Sequence, residues 1–229
     1  MRKGILYIFF FWLILGCSKQ NKRFVEQPST NLSKQRVTPA PAPADQSKSN
    51  TQQEDRTDWQ NPEFIIDLIG DLRGKTVADI GAGSGYFSFK LAHTAEKVIA
   101  LDIDPKALDY INNQKAIVGD WSNNIETRLT PPDVPNLLEE EVDLILIVNT
   151  INYIPGKAGY LLRLLEGLKS GGNLIIIDFK KGDIPVGPAD DYKTEAKEIR
   201  TLVRKAGFKS ISEDSKSLKY QFILSAEKR

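Results

Sequence analysis

One carboxylate and three glycines carry most of the chemical information in this chain. They fall in the stretch Val77-Ala78-Asp79-Ile80-Gly81-Ala82-Gly83-Ser84-Gly85-Tyr86. The apolar run Val77 to Ile80 reads as a buried strand, the glycines let backbone approach a ligand without Cβ interference, and Ser84 can cap the helix that follows. A turn of this kind suits a nucleotide-like ligand, and Asp79 narrows which one. A pyrophosphate at the helix N-terminus would be repelled by a carboxylate beside it, whereas a ligand presenting an ammonium group would be attracted. Tyr86 stands where a dinucleotide-binding fingerprint has its third glycine.

S-adenosylmethionine carries such an ammonium, and the stretch resembles the first motif of the class I S-adenosylmethionine-dependent methyltransferases. The resemblance continues downstream. Val98-Ile99-Ala100-Leu101-Asp102-Ile103-Asp104-Pro105 resembles the second strand with its terminal acidic residue, and Val118-Gly119-Asp120-Trp121 resembles the loop after the third. Val142 to Asn149 resembles the fourth strand, and Leu168-Lys169-Ser170-Gly171-Gly172 followed by Asn173 to Phe179 resembles the turn and fifth strand. A bacterial subgroup is closer still: Asp55-Arg56-Thr57-Asp58-Trp59-Gln60-Asn61-Pro62-Glu63 and Lys181-Gly182-Asp183-Ile184-Pro185-Val186-Gly187-Pro188 are similar to segments of its members. That subgroup often carries histidines just beyond the fourth strand, where this chain has Asn152 and Tyr153, so no histidine base is carried over.

The resemblance implies a cofactor site formed by Asp79, Gly81, Gly83, Gly85, Asp102, Ile103, Asp120 and Trp121. Asp102 would accept hydrogen bonds from the ribose hydroxyls and Asp120 from the adenine amine, with Ile103 and Trp121 against the ring. Asn149 and Tyr153, following the fourth strand, are the candidates nearest the transferring methyl group. His93, the single histidine, falls late in the helix after the glycine turn and is expected to be structural or exposed. No metal site is expected.

The surrounding pattern supplies the elements to hold these residues. Pro62 can open a helix carrying Phe64, Ile65, Leu68 and Ile69 and ending near Gly74, and Asp104-Pro105 is an N-cap with proline at the first helical position, opening a helix to Gln114. Val142 to Val148 is nearly continuously apolar, as a parallel strand covered on both faces requires. Leu161, Leu164, Leu165 and Leu168 share one helical face, and Ile199, Leu202, Val203 and Ala206 share another. Phe208 to Glu213 and Leu218 to Ala226 are close enough for a hairpin. The fold expected over 58–229 is a single α/β domain with a Rossmann-like, doubly wound, mostly parallel seven-stranded sheet and a C-terminal antiparallel strand. Its ligand crevice lies where the strand order reverses, between strands one and four.

The N-terminal segment has a different character. Met1-Arg2-Lys3 precedes an apolar run of about a dozen residues, shorter than the roughly 20 that span a bilayer. The run ends at Ile14-Leu15-Gly16-Cys17, which resembles a bacterial lipobox. Residues 1–16 are therefore expected to be a lipoprotein signal, with Cys17 as the lipid attachment point and membrane contact made through it. Cys17 is the single cysteine, so disulfide, zinc-cluster and thiol-nucleophile chemistry are all disfavoured. Residues 17–57 are polar and proline-containing and read as a tether that cannot bury a core. Localisation is expected on the periplasmic or cell-surface side, the alternative being an uncleaved anchor with the domain on the cytoplasmic face.

With 41% hydrophobic content and formal net charge +1, the chain has no global basic excess, so the expected partner is a small or lipophilic acceptor and not a nucleic acid. The expected reaction is direct in-line displacement at a methyl carbon, which needs positioning more than covalent help. Two other readings remain open at this point. One is a non-catalytic lipid-anchored protein binding a nucleoside-like ligand in the same crevice. The other is a nicotinamide-dependent oxidoreductase using Tyr153 and Lys157, a pair interrupted here by Pro155-Gly156.

Overall fold

A computed structural model describes residues 56–229, so the calls on 1–16, on Cys17 and on all but the last two residues of the tether lie outside it. The first helix, α1 (Arg56–Gln60), already occupies the end of the expected tether, and α2 (Pro62–Ile69) follows, with Pro62 in its first turn and the Asn61 side chain accepting from the Phe64 amide at 3.3 Å. Within α2, Ile65 is fully buried while Leu68 is exposed. Gly70, at φ 79°, closes the helix by donating to the Ile66 carbonyl, earlier than the Gly74 boundary the sequence suggests.

The remaining elements alternate as expected: β1 (Thr76–Ile80), α3 (Tyr86–Ala92), β2 (Lys97–Asp102), α4 (Pro105–Val118), β3 (Ile125–Leu129), β4 (Val142–Val148), α5 (Lys157–Gly167), β5 (Leu168–Phe179), α6 (Ala196–Lys205), β6 (Lys209–Asp214) and β7 (Gln221–Glu227). They form one seven-stranded sheet in the order β3-β2-β1-β4-β5-β7-β6. The pairings among β1 to β5 are parallel, and β7 runs antiparallel to both β5 and β6. The doubly wound, mostly parallel α/β architecture is therefore the one read from the sequence.

Both faces of the sheet are covered, which explains why β4 and β5 carry apolar residues at successive positions. Ile65, Leu91 and Ile111, from α2, α3 and α4, pack with Val77, Leu146 and Ile177 on one face. On the other, Leu161 and Leu164 of α5 and Ile199 and Val203 of α6 pack with Ala78, Ile145 and Ile176. Leu168, expected on the face of α5, is instead the first residue of β5, and its pairing with Val142 is followed by a register shift across the glycine pair. That shift lets Gly171 and Gly172 exchange backbone hydrogen bonds with Lys228 at the chain end.

The third strand corrects an expectation. Val118-Gly119-Asp120-Trp121 does not follow β3 but precedes it: Val118 ends α4, Gly119 breaks the helix at φ 110°, and Asp120–Asn124 form a 3-10 turn leading into Ile125. Because β2 and β3 are parallel, with Val98 opposite Ile125 and Asp102 opposite Leu129, this turn lies at the amino ends of the strands. Asp102 lies at their carboxyl ends, about 15 Å away at the rise of an extended chain.

Candidate active site

The strand order reverses at β1, flanked by β2 and β4, and everything that follows their carboxyl ends converges there. The turn after β1 is pinned to β2, since the amides of Gly81 and Ala82 both donate to the Leu101 carbonyl, at 2.8 and 3.0 Å. One step further, the Gly83 amide donates to Asp102 Oδ2 at 2.7 Å, and Asp102 Oδ1 accepts from the Asp104 amide at 2.9 Å. Asp102 is thus half-buried and oriented by two backbone donors. Helix α3 begins from Gly85, at φ 83°, with no side-chain cap; Ser84 is exposed and does not take the capping role expected of it.

Gly81 cannot be replaced here. Its φ is 73°, and a Cβ at this position would run into the side chain of Thr150 after β4. Gly81→Ala is expected to cost about 2–3 kcal/mol through left-handed backbone strain plus the displaced Thr150. Chemical denaturation checks this, and wild-type stability in the variant would refute it. Gly83 differs: it too has a positive φ, 54°, but a Cβ there would meet nothing within 4 Å, so the turn opens outward beside Asp102.

Asp79 lies beneath the turn, buried on the α3 side of the sheet, where the Ser88 hydroxyl donates to its Oδ2 at 2.6 Å. Burial pushes its carboxyl up to about 6; the hydrogen bond from Ser88 opposes the rise, the charge of Asp102 adds to it, and Arg56 offsets part of it. No sequence motif marks Ser88, although a hydroxyl set among Tyr86, Phe87, Phe89 and Leu91 is a visible signal.

Beyond β4, Asn149 adopts φ 56° and donates its amide N–H to the Ile177 carbonyl at 2.8 Å. Its side-chain oxygen accepts from Gln221 Nε2 at 2.5 Å, so the residue is aimed toward the start of β7. A 3-10 turn over Ile151–Tyr153 comes next. Asn152 bridges three elements there: its Nδ2 donates to Asp178 Oδ1 at 2.8 Å, and its Oδ1 accepts from the Thr194 amide at 3.0 Å, just before α6. Asp178 is buried at the end of β5 with its other oxygen unpartnered, and burial raises its carboxyl to about 6. Its position was legible as a lone charge inside the apolar run of β5. The Tyr153 hydroxyl is held above its ordinary value by burial and by Asp178 and Tyr192. Lys157 donates to the carbonyls of Asn152 and Ile154, at 3.1 and 3.2 Å, and is thereby bound to the turn's backbone.

Asp120 and Trp121, expected against adenine, are not brought to this crevice. Asp120 is exposed and accepts from Asn123, while Trp121 stacks on His93 at 3.9 Å between centroids, at the far end of α3. His93 is exposed there, as expected. The apolar side chains that do flank Asp102 are Ile103, 56% exposed, and Leu129 at the end of β3, 54% exposed. Leu129 was missed because β3 was not located from the sequence.

A family model described as a methyltransferase domain matches residues 71–222. The chain belongs to that methyltransferase family. A demethylmenaquinone methyltransferase from Tropheryma whipplei (strain Twist) is 31% identical over 112 residues, 49% of this chain and 45% of the relative. A tRNA U34 carboxymethyltransferase from Desulfotalea psychrophila is 30% identical over 118 residues, 52% of this chain and 36% of the relative. The chain thus spans less than half the length of these two curated relatives. Its fold matches the crystal structure of a SAM dependent methyltransferase from Aquifex aeolicus with a TM-score of 0.70, at 24% identity over 76% of this chain and 93% of that one. One relative is named for a quinone precursor and the other for a tRNA, so family membership does not choose between a small molecule and a nucleic acid as acceptor.

The crevice fits S-adenosylmethionine, the donor that the sequence resemblance implies. Each Asp102 oxygen accepts one backbone hydrogen bond, leaving about half of the carboxylate's roughly four lone-pair positions for ribose hydroxyls. Ile103 and Leu129 offer an exposed apolar edge, and the open face of Gly83 leaves room for close backbone approach. Asp79, buried beneath the turn on β1, lies on the side of β2 away from Leu129.

Proposed function

We propose that this methyltransferase carries the methyl group of S-adenosylmethionine to a small or lipophilic acceptor, by direct in-line displacement above the carboxyl ends of β1 and β4. The observation that carries the donor side is Asp102, fixed by the Gly83 and Asp104 amides while keeping acceptor capacity beside an exposed apolar edge. The donor supplies an electrophilic methyl on a positively charged sulfur. The protein holds it by ribose contacts at Asp102, apolar contact at Ile103 and Leu129, and charge at Asp79.

On the acceptor side, Asn149 and Tyr153 follow β4 and form the wall nearest the methyl. Asp178 and the Thr194 amide lock Asn152, so the turn that presents Tyr153 is set before an acceptor arrives. Such pre-positioning can supply on the order of 7–11 kcal/mol of a barrier in favourable intramolecular cases. The small-acceptor reading is supported by the near-neutral charge of the chain, +1 overall. Attachment to a membrane through a lipidated Cys17, with the domain on the periplasmic or cell-surface side, belongs to the same proposal and rests on the lipobox-like sequence alone.

Titration of the full-length chain by calorimetry with S-adenosylmethionine and, separately, with NAD tests the donor half. Heat from the methyl donor alone is expected, and binding of NAD in its place would overturn the assignment. Incubation with methyl-labelled donor plus a lipid extract or total tRNA tests the acceptor half. Label in a solvent-extractable product is expected, and label in tRNA would refute the small-acceptor reading.

A further inference from the structure

Helix α1 sends two side chains to opposite sides of the crevice. Arg56 places its guanidinium carbon 4.3 Å from the centroid of the Tyr86 ring, and Tyr86 is the first residue of α3, directly after Gly85. Trp59, almost fully buried, sets its ring 5.6 Å from that of Phe179, the last residue of β5. β4 lies between β1 and β5 in the sheet, so α1 reaches from the glycine turn, past β4, to the end of β5.

The guanidinium is oriented from two sides. The ring of Tyr86 lies against it, and its Nε donates to the side-chain oxygen of Gln60, a fully buried residue one helical turn away. Such a group loses solvation, and burial lowers the Arg56 pKa while Tyr86 and Asp79 pull it back. Yet the attraction to Asp79 is not a contact, since among the described ion pairs none joins Arg56 to Asp79, and the described hydrogen bond to Asp79 Oδ2 comes from Ser88. A positive and a negative group therefore flank the turn without meeting. That arrangement is complementary to an α-amino acid zwitterion, with ammonium toward the carboxylate and carboxylate toward the guanidinium. The charges also balance: Asp79, Asp102 and Arg56 sum to one negative charge, and the donor, with its sulfonium, ammonium and carboxylate, carries one positive.

We propose that Arg56 receives the carboxylate of the methionyl end of S-adenosylmethionine, making α1 a recognition element for the amino-acid part of the donor. The proposal rests on the donor assignment above. It makes Arg56 a binding residue that distinguishes the intact donor from adenosine thioethers lacking the amino acid, independently of the ribose contacts at Asp102.

The test is calorimetric and needs no methyl acceptor. The full-length chain, Arg56→Ala and Arg56→Lys are each titrated with S-adenosylmethionine, with S-adenosylhomocysteine, and with 5′-methylthioadenosine, which keeps the nucleoside but has neither ammonium nor carboxylate. Loss of a hydrogen bond to a charged group corresponds to about 10- to 100-fold in affinity. Arg56→Ala is expected to lose that much for the two ligands bearing the amino acid and nothing for methylthioadenosine, and Arg56→Lys to recover part of the loss. Equal weakening of all three ligands would mean that Arg56 only packs α1 onto Tyr86, and unchanged affinity for S-adenosylmethionine would remove it from the site; either overturns the proposal. Failure of the unaltered chain to bind any of the three would instead overturn the donor assignment itself, a result told apart by the wild-type titration.

Discussion

Asp102→Ala is expected to weaken S-adenosylmethionine binding by about 100- to 10,000-fold. Two ribose hydroxyls donating to one carboxylate are worth roughly 1.5–3 kcal/mol each, because the acceptor is charged and partly shielded from water. The substitution also releases the Gly83 amide, now held at 2.7 Å, so the turn loses the contact that fixes its open face toward the ligand. Asp102→Asn separates these effects. Its amide oxygen can still accept from Gly83, but one acceptor oxygen becomes a donor, and a loss of about tenfold is expected. The fold should tolerate both changes, since Asp102 is only half-buried and the β2 backbone pairings do not involve its side chain. Calorimetry gives the affinities and urea denaturation the stability. An Asp102→Ala chain that binds the donor as the wild type does would remove the ribose role and with it the geometry of the donor site.

The parts of this site that were legible in the sequence are those where local pattern and tertiary role coincide. The apolar runs of β1, β2 and β4 are buried on both faces, so composition alone marks them, and the residues that end them, Asp79 to Gly81, Asp102 and Asn149, fall at the crevice by topology. Asp104 and Pro105 open α4 as their types dictate, the Asp104 side chain accepting from the Lys106 amide at 2.9 Å. The misplacement of Asp120 and Trp121 has a physical origin. β3 is an edge strand and only Ile125 in it is buried; its partners are charges, Glu126 and Arg128 pairing with Lys97 and Glu141. No apolar run therefore announces it. Val118, read as opening the loop after the third strand, instead closes the exposed last turn of α4, in which Ile117 is 74% exposed. Arg56 was hidden for another reason, since it stands at the border of a polar segment and gains meaning only through Tyr86, 30 residues on. Asp178 and Ser88 are buried polar groups whose partners, Asn152 and Asp79, are set by the packing of elements that a linear reading does not bring together.

Asp79 should make both donor affinity and stability depend on pH, in opposite directions. Its carboxyl titrates at about 6 in the folded protein, against 3.8 for the unperturbed group, chiefly because it is buried. A folded-state value above the unfolded one means that the stabilising contribution is complete below the unfolded value and is lost as pH rises through the folded one. About two units correspond to roughly 3 kcal/mol lost between pH 4 and pH 7. Asp178, also raised to about 6, adds a loss in the same window. Carboxylates held low by partners, such as Glu126 beside Lys97 and Glu141 beside Arg128, act oppositely as the pH falls below the usual carboxylate range. The ligand-free protein is thus expected to be most stable near pH 4–5. The ammonium of the donor favours ionised Asp79, so affinity should be about tenfold weaker at pH 5 than above pH 7. Asp79→Asn keeps an acceptor for the Ser88 hydroxyl and removes the buried charge, so the variant should gain about 1–3 kcal/mol at pH 7 while losing affinity for the donor and most of its pH dependence. Thermal midpoints from pH 4 to 8, with and without S-adenosylmethionine, read both curves at once. A ligand-free midpoint that climbs steadily to pH 7, or an affinity indifferent to pH, would show that Asp79 is not the charge the donor meets. The trade of fold stability at neutral pH for a buried charge is what a carboxylate kept for ligand binding would require, and a purely structural Asp79 has no reason to make it.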